Sequence, residues 1–335
     1  MTITKIAYLG TGAWGFCLAS LLAMKGYAVT SWTTNEKLAT QLNNGAEHPH
    51  LPGHRALNGM HCTTDMAEAL KDADMIVEGV TAAGLRPVLE IVKKVCIPTC
   101  PIVITSKGIE QNSGLILPEV VIDVLGESVR QHVAILSGPS YAQEVIKKLP
   151  TSIVGAAFDP ATMTMVCDAF TGSSFRVYPN ADILGVSYGG ALKNIIAIAC
   201  GIAEGLGLGY SAKAALMTRG LHEIRKLAIA KGGKAETLSG LSGMGDVCLT
   251  CGSMISRNSR FGYLLAQGAS PKEAEKQIEM VVEGAYTCIS ALQISRQLGI
   301  PMPISEMVYK IIYENLPPQD AVKSLMQRAI KEEHL

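Results

Sequence analysis

From the N-terminus to about residue 180, short runs rich in β-formers alternate with stretches of helical spacing: KIAYLG, AVTSW, MIVEGV, IVITS, VAILSG, TSIVGAA and SFRVY. Strands separated by helical segments need crossover connections, so this pattern predicts a parallel α/β sheet. After Ala181 the strand signals stop. Ala, Leu, Gly and Ile recur there at helical spacing, and the rest of the chain is predicted all-helical.

Two stretches are apolar enough to raise the question of a membrane. The first is KIAYLGTGAWGFCLASLLAMK, uncharged between Lys5 and Lys25, which imitates both an export signal and a short span. Gly10, Gly12 and Gly15 divide it into a buried strand, a turn and an apolar helix ending at Gly26. The second is ILGVSYGGALKNIIAIACGIAEG, which carries Lys193 and Asn194 near its middle and lacks basic flanks. It reads as a helix buried in protein, whose five glycines imply close approach of other backbone or of a ligand. No stable membrane insertion is expected. The final PPQDAVKSLMQRAIKEE reads as an amphipathic helix begun at Pro318.

GTGAWG, between a strand and a helix, has the G-x-G-x-x-G spacing of a dinucleotide grip. The first glycine permits the tight turn, the second lets backbone approach a pyrophosphate, and the third packs helix on strand. The fold class is therefore α/β, with an N-terminal Rossmann-like doubly wound sheet followed by an all-α C-terminal domain. Residues 1–180 form the dinucleotide-binding domain and 181–335 the helical substrate and catalytic domain, in keeping with about 150 residues per domain. Ser31, Trp32, Thr33 and Thr34 follow the second strand. Neither an acidic residue for a ribose 2′-hydroxyl nor an arginine for a 2′-phosphate stands there, and Glu36 comes a little late. The cofactor is NAD or NADP, with the preference undetermined.

The 29 basic and 29 acidic residues cancel, which excludes a general field for nucleic acid and favours a small charged ligand. Nine cysteines without a repeating frame suit a reducing compartment. Cys248 and Cys251 make a C-x-x-C with neither a second pair nor a βαβ context, and His48, His50 and His54 in EHPHLPGH read as a loop, so no metal is expected.

Lys107 follows the strand PIVITS at the carboxyl end of the sheet, where ligands of doubly wound folds gather. Lys193 lies in a nearly uncharged helix, and burial of an ammonium lowers its pKa towards the range useful for proton transfer. GLSGMGDVCLTCGSMISRNSRFG gathers Asp246, Thr250, Ser256, Arg257 and Asn258 in a glycine-rich loop suited to a phosphate.

With GTGAWG, SKGIE, SGPSYAQE, GGALKNIIAIACGIAEG, AALMTRGLHE, GLSGMGD, LTC, SRN and VEGAYT in that order, nearly the whole chain resembles the bacterial type of NAD(P)-dependent glycerol-3-phosphate dehydrogenase. The resemblance implies interconversion of sn-glycerol 3-phosphate and dihydroxyacetone phosphate, a cytoplasmic homodimer, and supply of glycerophospholipid backbones. It makes Lys193 the proton acceptor and Asp246 its orienting partner, with Lys107 touching substrate and cofactor. Gly138 and Ser140 would line the substrate, and Ser256, Arg257 and Asn258 would hold its phosphate end. Thr11 and Trp14, beside Gly10, Gly12 and Gly15, would meet the dinucleotide, as would Ala142, Arg257, Val281 and Glu283. Thr34 occupies a place where the family usually has Arg, and His50 one where it often has Tyr; both fall on the cofactor's side. Ser211 replaces a common Asn with no assigned consequence. A related reductase of a small hydroxy or keto acid and a non-catalytic NAD(P)H sensor stand as alternatives.

Overall fold

The computed structural model describes residues 3–330 and 332–333. Its ten strands are β1 (Lys5–Leu9), β2 (Ala28–Trp32), β3 (Glu47–His48), β4 (Leu51–Arg55), β5 (Met60–Thr63), β6 (Met75–Glu78), β7 (Ile102–Ile104), β8 (Val133–Ser137), β9 (Thr151–Ala157) and β10 (Phe175–Asn180). Eight of them form one sheet in the order β10-β9-β8-β7-β6-β1-β2-β5, and β3 and β4 form a separate ribbon. The apolar runs become strands because both faces of the sheet are covered by helices, the condition under which parallel strands read as continuous hydrophobic stretches.

Two features depart from the sequence expectation. The sheet is not wholly parallel, since β8 and β9 pair antiparallel and β10 runs with β9. EHPHLPGH is not a plain loop either: Glu47 pairs with Arg55 and His48 with Leu51 across the ribbon.

The chain leaves β1 outward to β2 and β5 and returns to β6 on the other flank of β1, so the order reverses between β1 and β6. Such a reversal opens a crevice outside the carboxyl ends of the strands. The helix Ala13–Met24, with Phe16 to Leu22 buried, fills the space beside this crevice, and Gly26 (φ +94°) turns the chain into β2.

Past Asn180 the described chain has helices and no strands. The helix Ile183–Gly205 starts at Asp182, whose side chain accepts from the Gly185 amide at 2.8 Å. In its most apolar window 94% of residues are buried inside the protein, so the hydrophobic stretch is a core element. Its glycines do what their number implies. A Cβ on Gly201 would lie 2.0 Å from the Ser259 carbonyl, and one on Gly262 2.0 Å from the Ile198 carbonyl, so the helix Arg257–Ala266 rests backbone to backbone on Ile183–Gly205. The last described helix is Pro318–Met326, and Lys331 of the same predicted segment lies outside the described residues.

Candidate active site

The glycine turn is built as its spacing requires. Gly10 has φ +108°, and a Cβ there would meet the Gly79 carbonyl at 2.9 Å. A Cβ on Gly15 would strike the Gly10 carbonyl at 2.2 Å, whereas one on Gly12 would meet nothing within 4 Å. The first and third glycines are thus committed to packing, and the second faces open space at the start of a helix, where amide N–H groups favour a phosphate. These features fit a dinucleotide.

His48, read from sequence as part of a loop, supports this turn. Its ring stacks on Phe16 with centroids 4.7 Å apart, and its Nε2 donates to the Thr11 carbonyl at 2.9 Å. Its Nδ1 accepts from the His50 amide at 3.2 Å, which leaves the ring neutral; burial lowers its pKa in the same sense. Beside the turn lies a cleft of about 410 Å³ lined by Gly12, Thr33, Asn35, Lys37, Gln41 and His50 among others. Thr34 is exposed and does not line it. Lys37 is the cation of this cleft; it stands in the first turn of the next helix, Glu36–Asn43, and not at the end of β2. Among the described residues no group of three or more His, Cys, Asp or Glu side chains could hold a metal ion, and all nine cysteines are free.

Across the crevice the structure gathers Lys107, Gly138, Ser140, Lys193, Asp246 and Thr250. Asp246, 1% exposed, accepts from the Lys193 Nζ at 2.7 Å and from the Lys107 Nζ at 2.5 Å, one oxygen each. Thr250 Oγ1 stands 2.6 Å from the Lys193 Nζ and 3.2 Å from Asp246 Oδ1. Lys107 also donates to the Gly138 carbonyl at 3.0 Å, as does the Ser140 hydroxyl at 3.2 Å. Gly138 itself has φ +146° and would carry a Cβ 2.9 Å from the Ile153 Cα, so this turn after β8 tolerates only glycine.

Burial pulls the Lys193 ammonium from 10.5 down to about 8, with Asp246 opposing the fall and Lys107 adding to it. Burial alone would raise the Asp246 carboxyl, but the two ammonium groups outweigh it and hold it below the usual range. The result is an anion fixed between two cations, one of them with a proton affinity drawn well down from that of a free lysine. The segment bearing Asp246 is helical and not the loop expected from its glycines: a wide turn, in which the Gly245 amide donates to the Gly240 carbonyl at 3.1 Å, runs into the helix Asp246–Gly252.

The remaining residues form a rim continuous with this cluster. Asn258 donates to the Asn194 side chain at 3.0 Å and accepts from the Gly284 amide at 2.9 Å. Ser256 caps the helix Arg257–Ala266, and Arg257 donates to the Val281 carbonyl at 3.0 Å. Glu283 accepts from the Ala82 amide at 3.2 Å, linking the helical half to the first turn of the helix Ala82–Val95. Ala142 packs against the helix of the glycine turn, its carbonyl 3.5 Å from the Cys17 sulfur. Trp14 packs against the core beneath that helix.

Two family models cover nearly the whole chain. The N-terminal model of NAD-dependent glycerol-3-phosphate dehydrogenase matches residues 5–163, and the C-terminal model matches 182–323. The chain is a member of this family. It is 64% identical to the glycerol-3-phosphate dehydrogenase [NAD(P)+] of Protochlamydia amoebophila over 331 residues, 99% of either chain. The corresponding protein of Chlamydia pneumoniae is 54% identical, covering 98% of this chain and 99% of that one. A crystal structure of glycerol-3-phosphate dehydrogenase from Coxiella burnetii superposes with a TM-score of 0.92 at 36% identity, covering 97% of this chain and 99% of that one. The chain is thus an NAD(P)-dependent oxidoreductase of this family, and neither the other-reductase nor the sensor alternative is favoured.

Proposed function

We propose that the enzyme interconverts sn-glycerol 3-phosphate and dihydroxyacetone phosphate, with Lys193 as the proton carrier at C2. The observation that carries this reading is the buried Lys193–Asp246–Lys107 array facing the crevice of a dinucleotide grip. A nicotinamide coenzyme held at the glycine turn would supply or take up the hydride at C2. In reduction, Lys193 gives its proton to the forming C2 alkoxide; in oxidation, the neutral amine receives it. A pKa near 8 lets it serve in both directions, since proton transfer is most effective when the group titrates near the working pH. Asp246 and Thr250 hold the lysine nitrogen in place, and Lys107 stabilises negative charge on the substrate oxygen.

Gly138 and Ser140 would line the substrate, with Ser256, Arg257 and Asn258 at its phosphate. Gly10, Thr11, Gly12, Trp14, Gly15, Ala142, Arg257, Val281 and Glu283 would hold the dinucleotide. His50 would lie on its adenosine side, with Thr34 exposed just outside the cleft, and Lys37 is the cation available there to a 2′-phosphate. Division at residue 180 into a dinucleotide-binding and a substrate domain, a cytoplasmic homodimer, and a role in glycerophospholipid synthesis complete the reading.

The test is oxidation of NADH and of NADPH by purified protein with dihydroxyacetone phosphate, followed by coenzyme absorbance against a 2-keto acid control. Turnover with the phosphate ester alone is expected. Turnover with the keto acid instead would overturn the substrate assignment.

A further inference from the structure

Glu78 ends β6, the strand beside the reversal in sheet order, with Leu9 of β1 and Ile104 of β7 as its lateral partners. It is 1% exposed and, among the described residues, forms no ion pair with any lysine, arginine or histidine. Its carboxylate is bound by donors from two crevice loops. Oε1 accepts from the Thr105 amide at 3.2 Å, the Ser106 amide at 3.3 Å and the Ser106 hydroxyl at 2.6 Å. Oε2 accepts from the Val80 amide at 3.2 Å. The first loop leads directly into Lys107, and the second holds Gly79, against which Gly10 of the dinucleotide turn is packed.

We propose that Glu78 is a positioning residue at the floor of the coenzyme crevice, whose carboxylate fixes the Lys107 loop and the turn after β6 in one arrangement. This rests on the reading of Lys107 as a substrate and cofactor contact. Three backbone N–H groups and a hydroxyl converging from two loops on one buried anion form a clamp that a neutral side chain cannot reproduce. A glutamine would present N–H₂ either to the Val80 amide or to the Ser106 amide, donor against donor.

The same chemistry makes the clamp sensitive to protonation. Burial pushes the Glu78 carboxyl up to about 7, against the pull of the Ser106, Val80 and Thr105 donors. A proton on Oε1 forces the Ser106 hydroxyl to turn from donor to acceptor, and one on Oε2 opposes the Val80 amide. The titratable neighbour on β1 is Tyr8, whose hydroxyl is 3.2 Å from the Thr105 hydroxyl and whose ionisation is pushed up by burial. Behind it on the helix Ala13–Met24 stands Cys17, pushed up to about 12. Lys107, on the loop itself, turns its ammonium to Asp246. Neither Tyr8 nor Cys17 changes charge near pH 7, so an acid limb there belongs to Glu78.

The experiment compares wild type, Glu78→Gln, Glu78→Asp and Lys107→Ala by the pH profile of kcat/KM for dihydroxyacetone phosphate and by amide exchange in segments 79–81 and 105–108. Wild type is expected to lose kcat/KM as pH falls through about 7, above the limb near ~6 that the substrate phosphate contributes to every variant. Glu78→Gln should lack that limb, run about tenfold lower at pH 7.5, and exchange faster in both segments. Should Glu78→Gln fail to fold, Glu78→Asp carries the test, keeping the limb with faster exchange in at least one segment. An unchanged limb with unchanged exchange overturns the proposal. Full turnover in Lys107→Ala overturns the role of Lys107, while the exchange data still decide whether Glu78 orders the loops.

Discussion

Replacing Asp246 by asparagine keeps the shape of the site and removes one charge. In the native protein each carboxylate oxygen meets an ammonium, at 2.5 Å for Lys107 and 2.7 Å for Lys193. At an effective dielectric of ~20 the Lys193 contact corresponds to about 6 kcal/mol of attraction, and allowing half of it for relaxation and water leaves about 3 kcal/mol. At ~1.36 kcal/mol per pH unit this moves the Lys193 pKa down by about 2, from about 8 towards 6. On the proposed mechanism the reduction uses the protonated lysine, so its kcat/KM falls as pH rises through that value. Asp246→Asn should therefore shift the alkaline limb from about 8 to about 6 and lower kcat/KM at pH 7.5 by roughly 20-fold or more from protonation alone. The assay is a pH series of NADH oxidation under limiting dihydroxyacetone phosphate, with thermal unfolding as a control for fold. The stability sign is also fixed: a lysine with a lowered folded pKa leaves the folded state fewer protons than the unfolded, so the variant gains stability as pH rises above about 6. A limb still at 8 in a folded variant would refute the claim that Asp246 sets the proton affinity of Lys193.

Other expectations concern the frame. Gly201→Ala puts a Cβ 2.0 Å from the Ser259 carbonyl, so the two helices must separate, and about 2–3 kcal/mol of stability is expected to be lost by chemical denaturation. Glu223, 4% exposed, accepts from the Ile304 amide at 2.6 Å and from the Ser305 amide and hydroxyl at 3.1 and 2.9 Å, capping the helix Pro303–Tyr313 from a distant helix. Glu223→Ala should cost about 3 kcal/mol by leaving these donors buried without a partner. Burial pushes the Glu223 carboxyl up to about 7, so the folded state holds the extra proton between the unfolded value and 7. Stability is then full at acid pH and falls as pH rises towards 7, and Glu223→Gln should show a shallower slope in the same unfolding series.

Much of this was legible in the chain because the relevant chemistry is backbone chemistry or gross polarity. The roles of Gly10, Gly12 and Gly15 follow from what a Cβ would or would not meet, and the lysine in GGALKNIIAIACGIAEG announces itself by contrast. Strand direction is not encoded in apolar runs, and the reversal at β9 depends on the connection over residues 138–150. The edge strand Met60–Thr63 is short and half polar, so its MHCT carries little pattern. EHPHLPGHR reads as a loop because Pro and Gly interrupt it, yet the ribbon lets His48 reach Thr11. Glu78 was hidden inside MIVEGV, where one carboxylate at a strand end looks incidental until two loops close over it. Lys37 is not legible by the usual pattern, because it stands in the first turn of the following helix and not at the strand end where a 2′-phosphate arginine is expected.

The central claim is that Lys193 moves the proton at C2 and does not hold the coenzyme. The most direct measurement is single-turnover reduction of dihydroxyacetone phosphate by Lys193→Ala, with NADH and NADPH affinities measured on the same preparation. The account predicts coenzyme affinity within a few-fold of wild type and a chemical step slower by about 10²–10⁴. A variant that turns over at the native rate, or one that loses coenzyme binding in step with activity, would contradict it.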